Sequence, residues 1–269
     1  MEPLILAAVE CPPGEIICTP EFVNDLFETP VVFSIGGFGV NRAMLLMILA
    51  AVVAVGLLWF AFRKPRLVPG RFGAAMESLV GFVRDEVAVG IIGPEGVRYL
   101  PYLLALFMFV LVGNLFGITP FINFPVTSRM AIPAFLAVLT WLIFVVVGFA
   151  KNGISYFSGI VWPRSVPLGL RPLVGIIEFI STFVLRPLTL AVRLFANLVA
   201  GHVMLSLLLV SGYVFIFVKP GLSTTPWGVL WFTLGMAIFL FELIVALLQA
   251  YIFTLLSAVY IQTSVHPEH

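Results

Sequence analysis

The sequence predicts an all-α integral membrane protein of about five membrane helices plus an in-plane amphipathic helix, the last two segments forming a long tilted antiparallel hairpin. Three observations predict it. Of 269 residues, 61% are hydrophobic and only 10% charged, where a soluble domain carries about 25% charged. The apolar residues gather into runs long enough to cross a bilayer, which takes about 20 of them. The polar joints between runs carry basic residues asymmetrically. A water-soluble fold is excluded, and a net charge of +1 with no basic stripe leaves no nucleic-acid-binding face.

Residues 1–42 are set apart by charge, because six of the thirteen acids (Glu2, Glu10, Glu15, Glu21, Asp25, Glu28) precede the first long apolar run. The stretch lacks the basic start, apolar core and small-residue cleavage site of a signal peptide, so it is expected to stay in the mature protein as an aqueous segment. Residues 43–269 are expected to form a single membrane domain. Within it, 44–62, 99–118 and 132–150 each supply one crossing. In 71–92, Phe72, Met76, Leu79, Val83 and Val87 recur at helical spacing while Glu77, Arg84, Asp85 and Glu86 fall largely elsewhere, the pattern of a helix lying on the membrane surface. The runs 168–218 and 227–262 are longer than one perpendicular crossing needs, so each must tilt or break. Pro187 removes a backbone donor inside the first and is expected to bend it. The joint 219–226 (KPGLSTTP) reads as a turn, which makes the two runs a hairpin.

Short cytoplasmic loops carry an excess of Lys and Arg. With the N-terminus outside and the C-terminus cytoplasmic, nine basic residues lie inside (Arg63, Lys64, Arg66, Arg71, Arg84, Arg98, Lys151, Arg164, Arg171) against three outside (Arg42, Arg129, Lys219). The opposite orientation inverts that ratio. Cys11 and Cys18 then lie outside, where they either form a small local disulfide or remain free thiols; neither has metal-site spacing.

Ionisable residues at membrane depth cost about 2.5–3.5 kcal/mol on insertion scales and mark pathways. The last two runs hold Glu178, Arg186, Arg193, His202 and Glu242, with Asn197 and Gln249 as uncharged polar companions. At about 100° per residue, Glu178, Thr189, Thr182, Arg193, Arg186 and Asn197 fall within a sector of about 100°, and His202 lies opposite Arg193. Ala196 and Ala200 leave that stripe shallow enough for another helix to approach. In an antiparallel hairpin turning near Gly221 and Leu222, residues whose numbers add to about 442–444 share a depth, which sets Gln249 beside Arg193 and Glu242 beside His202. Glu178 falls near the inner surface, Arg193 about 22 Å further along and His202 about 13 Å beyond, at 1.5 Å per residue. Groups able to exchange protons thus flank a charge that Arg cannot give up, which makes Arg193 a barrier and not a relay. Glu178 can equally be a solvated helix-start acid, Arg186 a residue snorkelling to headgroups, His202 and Glu242 a static pair, and Asn114 a link between helices.

The run RPLTLAVRLFANLVAGHVM from Arg186 to Met204 resembles the signature of the a subunit of the rotary F-type ATP synthase, with Arg193 in the place of the essential arginine. The resemblance extends to Glu178 and Ser181, to NLFGITP from Asn114 to Pro120, and to Gln249 in LLQAYIFTLLSAVYI. His202 and Glu242 stand where many bacterial members have Glu and His, an exchanged pair, and Gly117 stands where some have an acid. The resemblance implies a proton-translocating stator subunit in a bacterial plasma membrane, with no catalytic site and no cofactor of its own. Its implied partners are a ring of c subunits, the b-subunit stalk and the rest of the synthase. Proton translocation would run through Arg193, Glu178, His202, Glu242, Gln249 and Asn197, with Arg186, Ser181 and Asn114 as lesser members. His202 and Glu242 would load a ring carboxyl from outside, Glu178 would empty its neighbour inside, and Arg193 would favour the ionised ring carboxylate beside it.

Two rival classes are weaker. A secondary transporter with an intramembrane charged site usually shows internal repeats, and none is found. A redox subunit needs haem-ligating His pairs across helices, whereas only His202 lies at membrane depth. No GxxxxGK[ST] loop occurs, so nucleotide chemistry belongs to partners.

Overall fold

The computed structural model describes residues 9–10, 19–20, 31–35, 38–63, 69–119, 130–162, 167–218, 220–221 and 223–265. Cys11, Cys18 and His266 lie outside the described residues, as do Lys64, Arg66, Arg129, Arg164 and Lys219 of the charge count. Among the described residues, five helices are long and apolar enough to cross a membrane: Ala43–Phe62, Pro94–Ile118, Ala131–Asn152, Arg171–Val218 and Thr225–Val265. This is an all-α membrane protein. The last two run for 48 and 41 residues, where about 20 suffice for one perpendicular crossing. Before them, the segment expected to be an aqueous tail carries two short antiparallel pairs, β1 (Val9–Glu10) with β2 (Thr19–Pro20) and β3 (Val31–Ile35) with β4 (Phe38–Asn41).

The chain clusters into two compact units, each built from pieces of several helices. The first comprises Met1–Ala50, Gly113–Arg129 and Ala196–Leu248. Here helix α1 (Arg42–Phe62) begins at Asn41, whose Oδ1 accepts from the Met44 backbone N–H at 3.2 Å and so caps the first turn. Helix α7 (Arg186–Tyr213) and helix α8 (Thr225–Val265) contribute the hairpin around the turn. Glycines let them come close. A Cβ added at Gly212 would lie 2.7 Å from the Phe232 backbone nitrogen, one at Gly235 2.6 Å from Leu209 Cδ2, and one at Gly228 2.9 Å from Phe215 Cβ. The numbers of these contacting pairs add to 443 or 444, inside the range expected from the turn position. Towards the turn the seam closes on Val214 and Phe215, packed against Val210 and Trp231.

The second unit comprises Ala51–Val112, Met130–Phe195 and Gln249–His269. Helix α2 (Arg71–Phe82) runs into wider π turns over Val83–Ile92. Of its predicted apolar face, Val83 and Val87 are buried and Met76 and Leu79 half-buried, whereas Phe72 is exposed at 41%, like Glu77, Arg84, Asp85 and Glu86. Gly93, at φ 94°, breaks the winding before a 3₁₀ segment Pro94–Tyr99 and helix α3 (Leu100–Ile118). Helix α4 (Ala131–Asn152) is tied to α3 by the Tyr102 hydroxyl and Thr140 Oγ1 at 2.7 Å, and Lys151 pairs with Glu95. Gly153, at φ 57°, turns the chain into helix α5 (Ile154–Val161). The Tyr156 ring of α5 lies flat on Gly148, where a Cβ would sit 2.7 Å from it, and its hydroxyl meets Ser264 Oγ at 3.1 Å while Asn152 donates to the Ser264 carbonyl at 2.9 Å.

Helix α6 (Arg171–Ile180) carries Pro172 in its first turn, where a missing N–H costs nothing. It passes through π turns at Ser181–Leu185 into α7. Pro187, expected to bend this run, cannot donate to the carbonyl one turn back, and just ahead of it the winding widens: the Arg186 N–H bonds the Ser181 carbonyl, five residues back. A wider turn shifts the phase of everything before it, which corrects the single polar stripe predicted at uniform rotation. Thr182, placed about 20° from Thr189 on an ideal helix, is buried, whereas Thr189 is exposed.

Candidate functional site

Two groups of the predicted residues emerge, one in each unit. In the first unit, α7 supplies His202, α8 supplies Glu242, and the end of α3 supplies Asn114; their relative exposures are 5%, 8% and 1%. The three line one cavity together with Gly117, Leu198 and Leu205. Its volume of about 10 Å³ is room for about one water. His202 also meets the Gly117 backbone. Glu242 reaches α7 over Gly201, where an added Cβ would overlap its carboxyl group. An acid, an imidazole, an amide and space for one water on three helix segments make a set that can accept, hold and pass a proton. The hairpin register expected Glu242 and His202 at one depth, and they share the cavity. Asn197, also of this unit, is half-buried.

In the second unit, Arg193 is exposed on α7, as is Thr189, whose hydroxyl is turned back onto the Leu185 carbonyl at 2.7 Å. Gln249 of α8 is 5% exposed, and its Nε2 has no hydrogen-bond partner among the described residues. Glu178 and Ser181 are half-buried. Arg186 is held by α8: its Nη1 donates to Thr263 Oγ1 at 3.1 Å, and its guanidinium carbon lies 5.2 Å from the centre of the Tyr260 ring. The Arg186 side chain is thus anchored to protein groups of α8.

Sequence reasoning noted Gly117 but not its place in the cavity wall, and it missed Gly201 and the Asn152, Tyr156 and Ser264 cluster. Gly201 left a signal in the sequence, because a glycine inside a helix is destabilising by about 0.5–1 kcal/mol relative to alanine and so points to a close approach. The contacts of Tyr156 with Ser264 join residues 108 apart and leave no local trace. Among the described residues no group of three or more His, Cys, Asp or Glu side chains gathers to hold a metal ion.

The sequence model of the ATP synthase A chain family matches residues 44–262. The chain is similar to ATP synthase subunit a of Frankia alni, 41% identical over 253 residues that cover 91% of this chain and 86% of that one. It is also similar to the subunit a of Rhodococcus erythropolis, at 41% identity with 91% and 90% covered, and to that of Pseudarthrobacter chlorophenolicus, at 35% with 93% and 94% covered.

Proposed function

The chain belongs to the ATP synthase A chain family, multi-pass proton-translocating subunits of the bacterial F-type ATP synthase, and we propose that it couples proton flow to rotation through two offset half-channels facing a ring of c subunits. The observation that carries this is the burial of His202 and Glu242 in one small cavity, on two helices long and apolar enough to cross a membrane. A buried carboxyl and imidazole so placed in a bilayer are expensive unless they serve a path. In the proposal the outer half-channel runs through His202, Glu242 and Asn114, and hands a proton to a ring carboxylate near Asn197. The inner half-channel runs through Glu178 and Ser181, with Gln249 beside Arg193 and Arg186 at its mouth.

Arg193 separates the halves. Its guanidinium is fixed in charge and exposed, so a carboxylate passing it stays ionised until it reaches one half-channel or the other. The ring turns in the direction set by whichever side supplies protons. The N-terminus lies outside and the C-terminus in the cytoplasm, and the b-subunit stalk holds this subunit against the torque. Arg193→Ala abolishes ATP-driven proton pumping in inverted vesicles, and Arg193→Lys also fails, because an ammonium lacks the planar fork and can lose its charge when desolvated. Normal pumping by either variant, at normal levels of assembled complex, refutes the role.

A further inference from the structure

Gly201 stands one residue before His202 on α7, buried, and the Glu242 carboxyl of α8 rests on it: a Cβ built at Gly201 would overlap both carboxyl oxygens and the carbon between them. The other glycines of this seam face different neighbours. At Gly212 the space is taken by the backbone nitrogen and Cα of Phe232, at 2.7 and 2.8 Å, and at Gly235 by the side chain of Leu209. Those glycines admit backbone or an apolar side chain, whereas Gly201 admits a titratable group. Resting on the reading of His202 and Glu242 as the outer proton path, we infer that Gly201 is a positioning residue whose bare backbone seats the Glu242 carboxyl against α7, beside His202.

The physical case is one of reach and freedom. Proton transfer needs donor and acceptor within about 2.6–3.2 Å, directly or through one water, and the cavity has room for about one water. A glutamate has rotamer freedom to place its carboxyl in several directions from α8. The hollow at Gly201, flanked by the walls of α7, is the direction it takes. Alanine at 201 changes little else. It is favoured over glycine in a helix, and the atoms it would meet are the far end of a flexible side chain, so the carboxyl swings away while α7 and α8 stay packed. Alanine at 212 would instead press on backbone.

The test is a double-mutant cycle in the complete synthase, reconstituted in liposomes, reading proton flux driven from the outer side and its dependence on outer pH, with assembled complex quantified. Gly201→Ala is expected to assemble normally and to slow uptake by roughly ten- to a hundredfold, the scale of about 1 Å of misplacement, with an altered pH profile. In the Glu242→Asp background, where the carboxyl is drawn back by one methylene, the alanine should cost less than about twofold, because nothing remains at Gly201 to displace. An equal cost in both backgrounds, or poor assembly of Gly201→Ala, assigns the effect to helix packing and overturns the inference. Full flux in Gly201→Ala while Glu242→Gln is blocked overturns it too and leaves the outer path standing. Full flux in Glu242→Gln overturns the outer path and the inference with it.

Discussion

Exchanging His202 and Glu242 tests whether the two act as one unit. Both are nearly inaccessible, at 5% and 8% relative exposure, and both line a cavity of about 10 Å³. Truncating either to alanine leaves the other a buried polar group with a missing neighbour, a penalty of about 1–3 kcal/mol. Carried into the proton-transfer step at about 1.36 kcal/mol per tenfold, that is a slowing of about 5- to 150-fold for His202→Ala or Glu242→Ala. Were the residues independent, changing both would multiply the two losses. The variant His202→Glu with Glu242→His keeps one acid and one base in the same space, so its pumping should return to within about tenfold of the native rate. The remaining deficit reflects the Gly201 seat, shaped for a carboxyl arriving from α8. The assay is ATP-driven proton pumping by inverted vesicles, normalised to assembled complex. An exchanged variant as slow as the product of the two alanine variants would falsify the coupling and move the outer path to other groups.

Three further outcomes follow from the packing and the charge pattern. Gly212→Ala presses a Cβ onto the Phe232 backbone, and overpacking of about 1–3 kcal/mol outweighs the helix-propensity gain of about 0.5–1 kcal/mol; the thermal midpoint of the purified complex should fall, and an unchanged or higher midpoint contradicts the observed approach of α7 and α8. Tyr156→Phe removes the buried contact with Ser264 Oγ at 3.1 Å and should cost about 0.5–1.5 kcal/mol in thermal unfolding without changing pumping, whereas a loss of pumping at full stability would give that hydroxyl a functional part. With Cys11 and Cys18 replaced, a cysteine at Ser223 should react with an impermeant thiol reagent from outside and one at Ser165 from inside only. Labelling on the opposite sides reverses the proposed orientation.

What was legible in the sequence follows from how local its physical cause is. Helix class and length came from runs of apolar residues, and the hairpin register came from one turn and one constant rise, which is why Glu242 and His202 could be set together in advance. The helical face of 71–92 was readable from Met76 to Val87 because amphipathic spacing records which side is buried, but not at Phe72, which is exposed. The polar stripe around Pro187 was not, because it assumed uniform rotation through Ser181–Leu185, where the winding widens. The short strand pairs β1–β2 and β3–β4 lie in a segment read as aqueous from its six acids, and two- to five-residue strands leave little periodicity to detect. Contacts such as Arg186 with Thr263 and Asn152 with Ser264 join residues 77 and 112 apart, and no local pattern encodes them.

The burial pattern of α7 bears on why an arginine can stand at position 193. Leu190, Leu194, Leu198, His202 and Leu205 are buried, while Thr189, Arg193, Ala196, Ala200 and Met204 are exposed, steps of three and four that trace one face of a helix. Against lipid alone that face is poorly made, since an arginine at membrane depth costs about 2.5–3.5 kcal/mol on insertion scales and two alanines cover little area. Against the proposed ring the same features become favourable: Ala196 and Ala200 let a second helix approach closely, and a carboxylate there meets the fixed positive charge in a medium that screens it weakly. The attraction must stay breakable for rotation, so the arginine needs competing polar neighbours on its own subunit. Gln249 is buried in the second unit, and its Nε2 has no hydrogen-bond partner among the described residues; in the proposed mechanism it is the polar neighbour that weakens the hold between Arg193 and the ring carboxylate. Gln249→Leu should accordingly slow pumping without abolishing it, with the complex assembled as before; complete loss, equal to that of Arg193→Ala, would mean that the amide is as indispensable as the charge.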